Sequence, residues 1–185
     1  MRRARVEGVR PTIGRGASPR LAVGSEAGPP QALGKSTMPI HMSGVHHVGL
    51  SVTDVQRSKE FYVELFGWKE VGSDNSLGYA FLSDGKNTIT LWQQSDSPYA
   101  RSHAGLHHLA LAVNGADELI RAEQILRKRQ IRIHYDRIVP VAEGGKAAEL
   151  YCYDPDGICI ELYSDEGGDG REAPVSHGPS CLLRE

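Results

Sequence analysis

The nine residues 44–52, "GVHHVGLSV", recur at residues 105–113 as "GLHHLALAV". A histidine pair opening an apolar run says little when it occurs once. Written twice at matching places, it marks two copies of one structural unit, and this decides the architecture before any single element is assigned.

Outward from the first copy, residues 45–52 alternate as a strand and run into "TDVQRSKEFYVELFG". There Val55, Ser58, Phe61, Tyr62 and Leu65 fall on one helical face, an Asx or Thr cap precedes them, and Gly67 stands where a C-cap belongs. Short strands are expected next at 68–72, 78–82 and 87–93. The second copy keeps this order, with a strand at 106–113 and a helix from about Asp117 that turns Leu119, Ala122, Ile125 and Leu126 inward. Strands at 131–138, 147–153 and 158–163 complete it. Each copy reads βαβββ, an α+β arrangement, and at roughly sixty residues neither half buries enough apolar surface to stand comfortably alone. Two tandem modules sharing one core are therefore expected.

The folded domain is placed at residues 44–164, with modules at about 44–95 and 105–164. Residues 1–43 are rich in Gly, Pro, Arg and Ala without apolar periodicity, which predicts a disordered N-terminal extension. The polar, turn-forming residues 165–185 predict a flexible C-terminal tail. Residues 1–43 carry seven Arg/Lys against two Glu, so the remainder carries fourteen against twenty-one Asp/Glu. An acidic body argues against a nucleic-acid partner, and the lack of any run of about 18 apolar residues argues against a membrane span. Three cysteines without a CxxC pair fit free thiols in a reducing compartment, which predicts a cytoplasmic protein.

Side chains alternate across a strand, so adjacent histidines point to opposite faces. Val48, Leu50 and Val52 share one face, and His47, Gly49 and Ser51 the other. In the second copy Leu109, Leu111 and Val113 oppose His108, Ala110 and Ala112. The bulky faces should meet the helices, which leaves His47 and His108 on faces of small residues with room for a ligand, while His46 and His107 fall on the helix side. In "DPDGICIELYSD", Cys159, Glu161 and Tyr163 face away from Ile158, Ile160 and Leu162, and a carboxylate in mid-strand needs a partner because burying it alone is costly. The equivalent strand of the first module places Thr90 where Glu161 stands. The repeat thus offers His47, His108 and Glu161 as three metal ligands with open positions, a set suited to non-haem Fe(II) and open also to Mn, Ni, Co or Zn.

The doubled "HHVGLSV…FYVELFG" and "HHLALAV…DPDGICIEL" resemble the vicinal oxygen chelate superfamily, which includes glyoxalase I, extradiol dioxygenases, fosfomycin-resistance thiol transferases and bleomycin-binding proteins. The resemblance implies paired modules curving into a mixed-sheet cup, helices outside, around one divalent metal that a small-molecule substrate chelates through adjacent oxygens. Family ligands carry over onto His47, His108 and Glu161. Tyr151, ten residues before Glu161, stands where family enzymes place a tyrosine near the substrate, suited to donating to an oxyanion or moving a proton.

Thr90 in place of a second carboxylate disfavours standard glyoxalase chemistry, and an Fe(II) dioxygenase acting on a catechol-like molecule fits three ligands better. A lyase or isomerase of glyoxalase type stands second. Fosfomycin-type thiol transfer, which wants several converging cations, stands third. A metal-free drug-binding module of the bleomycin-resistance kind is the contrasting class, under which, as under the enzyme reading, Trp92 would stack a planar ligand. Whether the modules of one chain close the cup, or exchange with those of a second copy in a homodimer, is left open by the sequence.

Overall fold

Asp54 and Gly67 bracket the first helix in the way the sequence predicts. The Asp54 carboxylate accepts the Arg57 N–H at 3.0 Å, and Gly67, at φ 69°, closes the helix through its N–H to the Val63 carbonyl at 3.0 Å. In this computed structural model, which describes residues 41–183, the helix is α1 (Val55–Phe66) and follows strand β1 (Val48–Val52). The predicted disorder of residues 1–43 lies outside the described residues except at 41–43, which are exposed and without regular structure.

After α1 come β2 (Lys69–Asp74), β3 (Tyr79–Ser83) and β4 (Thr88–Gln93), which with β1 form a four-stranded sheet in the order β1-β4-β3-β2. The second module repeats it as β5 (Leu109–Ala112), α2 (Gly115–Lys128), β6 (Val139–Pro140), β7 (Ala147–Tyr153) and β8 (Cys159–Gly167), ordered β5-β8-β7-β6. In each sheet the first strand lies parallel to the last and the remaining pairs are antiparallel, so both sheets are mixed. The α+β, two-module reading holds.

Leu50, Val52, Tyr62, Leu82, Ile89 and Leu91 of the first module and Leu119, Leu126, Leu150, Ile160 and Leu162 of the second join in one buried cluster on the helix side of both sheets. Its apolar burial is the main stabilising term of the fold. The "DPDG" turn ties the modules together. Asp156, buried, accepts the Thr53 N–H at 3.0 Å, the Thr53 hydroxyl at 2.5 Å and the Arg57 guanidinium at 2.8 Å, while Asp154 accepts the Tyr62 hydroxyl at 3.2 Å. Asp154 also accepts the N–H groups of Asp156 and Ile158.

Two expectations give way. The strand predicted at 131–138 reduces to one bridge, Ile133 to Cys152, ahead of the short β6. Gln130 (φ 56°) and Asp136 (φ 53°) adopt left-handed conformations that interrupt an extended chain, and Arg127 holds the second turn by donating to the Asp136 carboxylate at 2.9 Å. Nor does the polar chain beyond Ser164 hang loose as predicted. Strand β8 runs on to Gly167, and residues 180–182 form a 3₁₀ turn in which Ser180 is buried, as is Leu183 just after it. The reason is local: Ser180 finds backbone and carboxylate partners on the sheet, and Leu183 an apolar seat, neither of which composition reveals.

Candidate metal centre

The two sheets place their functional positions in the same register. Gly49 pairs with Thr90 across β1 and β4, and Ala110 pairs with Glu161 across β5 and β8, so Thr90 is the structural counterpart of Glu161. Parallel pairing then brings the residue just before β5, His108, beside the middle of β8. Its Nε2 lies 2.9 Å from Glu161 Oε2.

Burial, and then the neighbouring His107, hold the His108 imidazole below its ordinary pKa, and burial followed by the nearby Glu149 carboxylate pushes Glu161 up to about 7. Both shifts favour the uncharged forms. An uncharged imidazole is the state in which histidine can ligate a metal, whereas a carboxyl such as that of Glu161 would have to release its proton to do so. His108 Nδ1 meets His107 Nδ1 at 2.8 Å, one nitrogen donating and the other accepting.

Tyr151 is cross-strand neighbour to Glu161, and its ring stands edge-on to His108 with centroids 6.4 Å apart. Its hydroxyl donates to Glu149 Oε2 at 2.6 Å. Burial, reinforced by that hydrogen bond, keeps the phenol protonated far above its ordinary range. Glu149, which is only 4% exposed, also accepts the Ser180 hydroxyl. Neither Glu149 nor Ser180 was singled out from the sequence. Alternation along "AAELYCY" puts Glu149 on the face of Tyr151 and was signal enough for the first; Ser180 lies in the stretch whose composition reads as tail.

His47 does not join this group. It is exposed just ahead of β1, with Nδ1 2.8 Å from His46 Nδ1. Among the described residues, no three His, Cys, Asp or Glu side chains stand close enough together to hold a metal ion. The structure therefore brings His108, Glu161 and Tyr151 together and leaves His47 on the other module. Thr90 accepts the Trp92 indole N–H at 3.0 Å, and Trp92, Tyr79 and Phe81 form a half-buried aromatic cluster on the same face, with centroids 5.0 to 5.7 Å apart. One imidazole against one carboxylate in the second module is a donor pair of the kind that divalent metals take.

Two mixed sheets of βαβββ topology, with this pair at the start of one strand and the middle of another, define a class, and the comparisons agree. Residues 44–162 match the Glyoxalase/Bleomycin resistance protein/Dioxygenase superfamily, and the chain belongs to that superfamily. A catechol-2,3-dioxygenase of Bacillus subtilis is 30% identical over 134 residues, 67% of this chain but only 44% of that protein, so the chain spans less than half of its length. A glyoxalase/dioxygenase structure from Nostoc punctiforme superposes with a TM-score of 0.59 at 24% identity, over 74% of this chain and all of that one. A variant of the fosfomycin resistance protein FosX from Listeria monocytogenes, in complex with Mn(II) and 1S,2S-dihydroxypropylphosphonic acid, gives 0.56 at 21% identity over 70% of this chain and 95% of its own. Superfamily members thus bind divalent metals and small molecules. No helix among the described residues is long and apolar enough to cross a membrane.

Proposed function

We propose that this protein is a divalent-metal-dependent enzyme of the vicinal oxygen chelate type, an Fe(II) dioxygenase acting on a small catechol-like molecule. The observation that carries the reading is the contact of His108 Nε2 with Glu161 Oε2 at 2.9 Å on the face that also presents Tyr151. His108 and Glu161 are two of the three metal ligands, and His47 of the partner subunit in a homodimer is the third. The exposed position of His47, on the module that lacks a carboxylate at Thr90, supports this exchange. Fe(II), held by these residues, would supply electron transfer between a chelating substrate and dioxygen.

The chain's own residues have definable tasks. His107 orients His108 through the Nδ1 contact. Tyr151 stands edge-on to the His108 ring with its proton directed at Glu149, so a substrate hydroxyl arriving on the open side meets the phenol oxygen as an acceptor. The segment that carries Ser180 and Leu183 covers part of the face on which Glu161 lies, and Glu161 is 5% exposed.

The test is anaerobic purification, Fe(II) loading and oxygen-uptake measurement across a catechol panel. The proposal expects oxygen consumed in proportion to ring-cleaved product. Product without oxygen consumption, or turnover of a hemithioacetal with every catechol inert, would replace it with a lyase.

A further inference from the structure

The cleft face of the second sheet is only partly open. Val139, Tyr151 and Cys159 belong to that face by strand alternation, and Leu183 closes over them in a second buried cluster, separate from the main core. Tyr135, Tyr153 and Cys181 pack around its edge. The covering segment is built in rather than laid on. Ser180, 1% exposed, donates its N–H to the Val141 carbonyl at 2.9 Å and its hydroxyl to Glu149, and its own carbonyl accepts the Tyr135 hydroxyl at 2.6 Å. The Leu183 carbonyl accepts from the Arg101 guanidinium at 3.0 Å.

Leu183 has a second aspect. It forms one side of an open cleft of about 490 Å³ whose other walls include Tyr99, Arg101, Leu106 and His107, the residue next to His108. The same side chain thus seals the Tyr151–Cys159 side of the face and borders a cleft that His107 lines.

We propose that residues 179–183 are a fixed wall of the metal cup that limits the size of ligand reaching His108 and Glu161, with Leu183 the specificity-determining side chain. Ligands are admitted from the His107 side, and the β6–β7 side is closed to them. The wall itself rests on geometry alone; its effect on ligand size also rests on the function proposed above.

The test uses the full chain as wild type, Leu183→Ala and Leu183→Met, loaded with redox-inert Mn(II). Two quantities are read: the rate at which N-ethylmaleimide labels each cysteine, resolved by tandem mass spectrometry, and the affinities of catechol and 4-tert-butylcatechol by calorimetry. Cys159 should be inert in wild type and label at least tenfold faster in Leu183→Ala, with Leu183→Met restoring protection. Cys152, buried in the main core, should stay inert in all three, showing that the fold persists. The preference for catechol over the bulkier probe should fall about tenfold in Leu183→Ala. Labelling of Cys159 in wild type, or no acceleration in Leu183→Ala, overturns the wall. Acceleration with an unchanged affinity ratio overturns its role in specificity. If no form binds either catechol, both the catechol reading and the size limit fail, while the labelling rates still decide whether the wall exists.

Discussion

At one register position, opposite Gly49 in the first sheet and Ala110 in the second, the modules place Thr90 and Glu161. Thr90 is satisfied locally, since its hydroxyl accepts the Trp92 indole N–H beside an aromatic cluster. Glu161 is instead buried against a second carboxylate, Glu149, which with burial raises its pKa, and its partner is His108 at 2.9 Å from the start of another strand. A similar division separates the Asp-Gly turns that precede these strands. Asp84 in the first module is exposed and bonds only its own turn, whereas Asp156 in the second is buried and grips the other module. One backbone plan thus supports a packing surface in one copy and a buried polar centre in the other, because the side chains at equivalent places differ in charge.

The comparison can be broken most sharply at Glu161. Glu161→Gln keeps the shape and removes the charge, and should weaken Mn(II) binding by at least ~100-fold, while Thr90→Val leaves it within about twofold, both by calorimetry. Next in size is Asp156→Ala, which removes the hydrogen bonds that its carboxylate accepts from Thr53, Arg57 and Ser58 of the other module and should cost about 3 kcal/mol in urea denaturation. Asp84→Ala, exposed to solvent, should cost far less, and equal losses would mean that the second turn does not join the modules.

A smaller effect follows from pH. Burial pushes Asp154 up to about 6 from an ordinary 3.8, so the fold favours its protonated form. The stability this contributes is full below about pH 4 and is lost as the pH rises through about 6. Asp154→Asn should remove that part of the decline, so the wild-type minus variant stability falls between pH 4 and 6, and a flat difference would contradict the assignment. Smallest of all, Thr90→Val leaves the indole N–H of Trp92 without its acceptor and should cost about 1 kcal/mol, with a change in tryptophan fluorescence.

Much of this was legible in the chain. The echo of 44–52 at 105–113 gives the two modules, and period-two alternation assigns Leu50, Val52 and Ile160 to the core and Glu161 to the cleft. Alternation gave the direction in which His108 points, but not that the parallel β5–β8 register would set it beside Glu161, which depends on pairing between distant segments. Residues 131–138 look like a strand by composition, yet left-handed turns at Gln130 and Asp136 override the pattern. The 179–183 segment was unreadable because its order comes from tertiary partners, Glu149, Val141 and Arg101, rather than from its own propensity. The separation of His47 from His108 is likewise a matter of module packing, on which a repeat pattern is silent.

The most direct test is complementation between two inactive variants, His47→Ala and His108→Ala. Each alone should bind Mn(II) at least ~100-fold more weakly than wild type. If His47 serves the partner subunit, unfolding the two together and refolding them should restore about one quarter of the wild-type sites, because half of randomly formed dimers are mixed and each regains one intact site of its two. Co-refolded variants that recover no high-affinity site would place all ligands in a single chain and contradict the exchange.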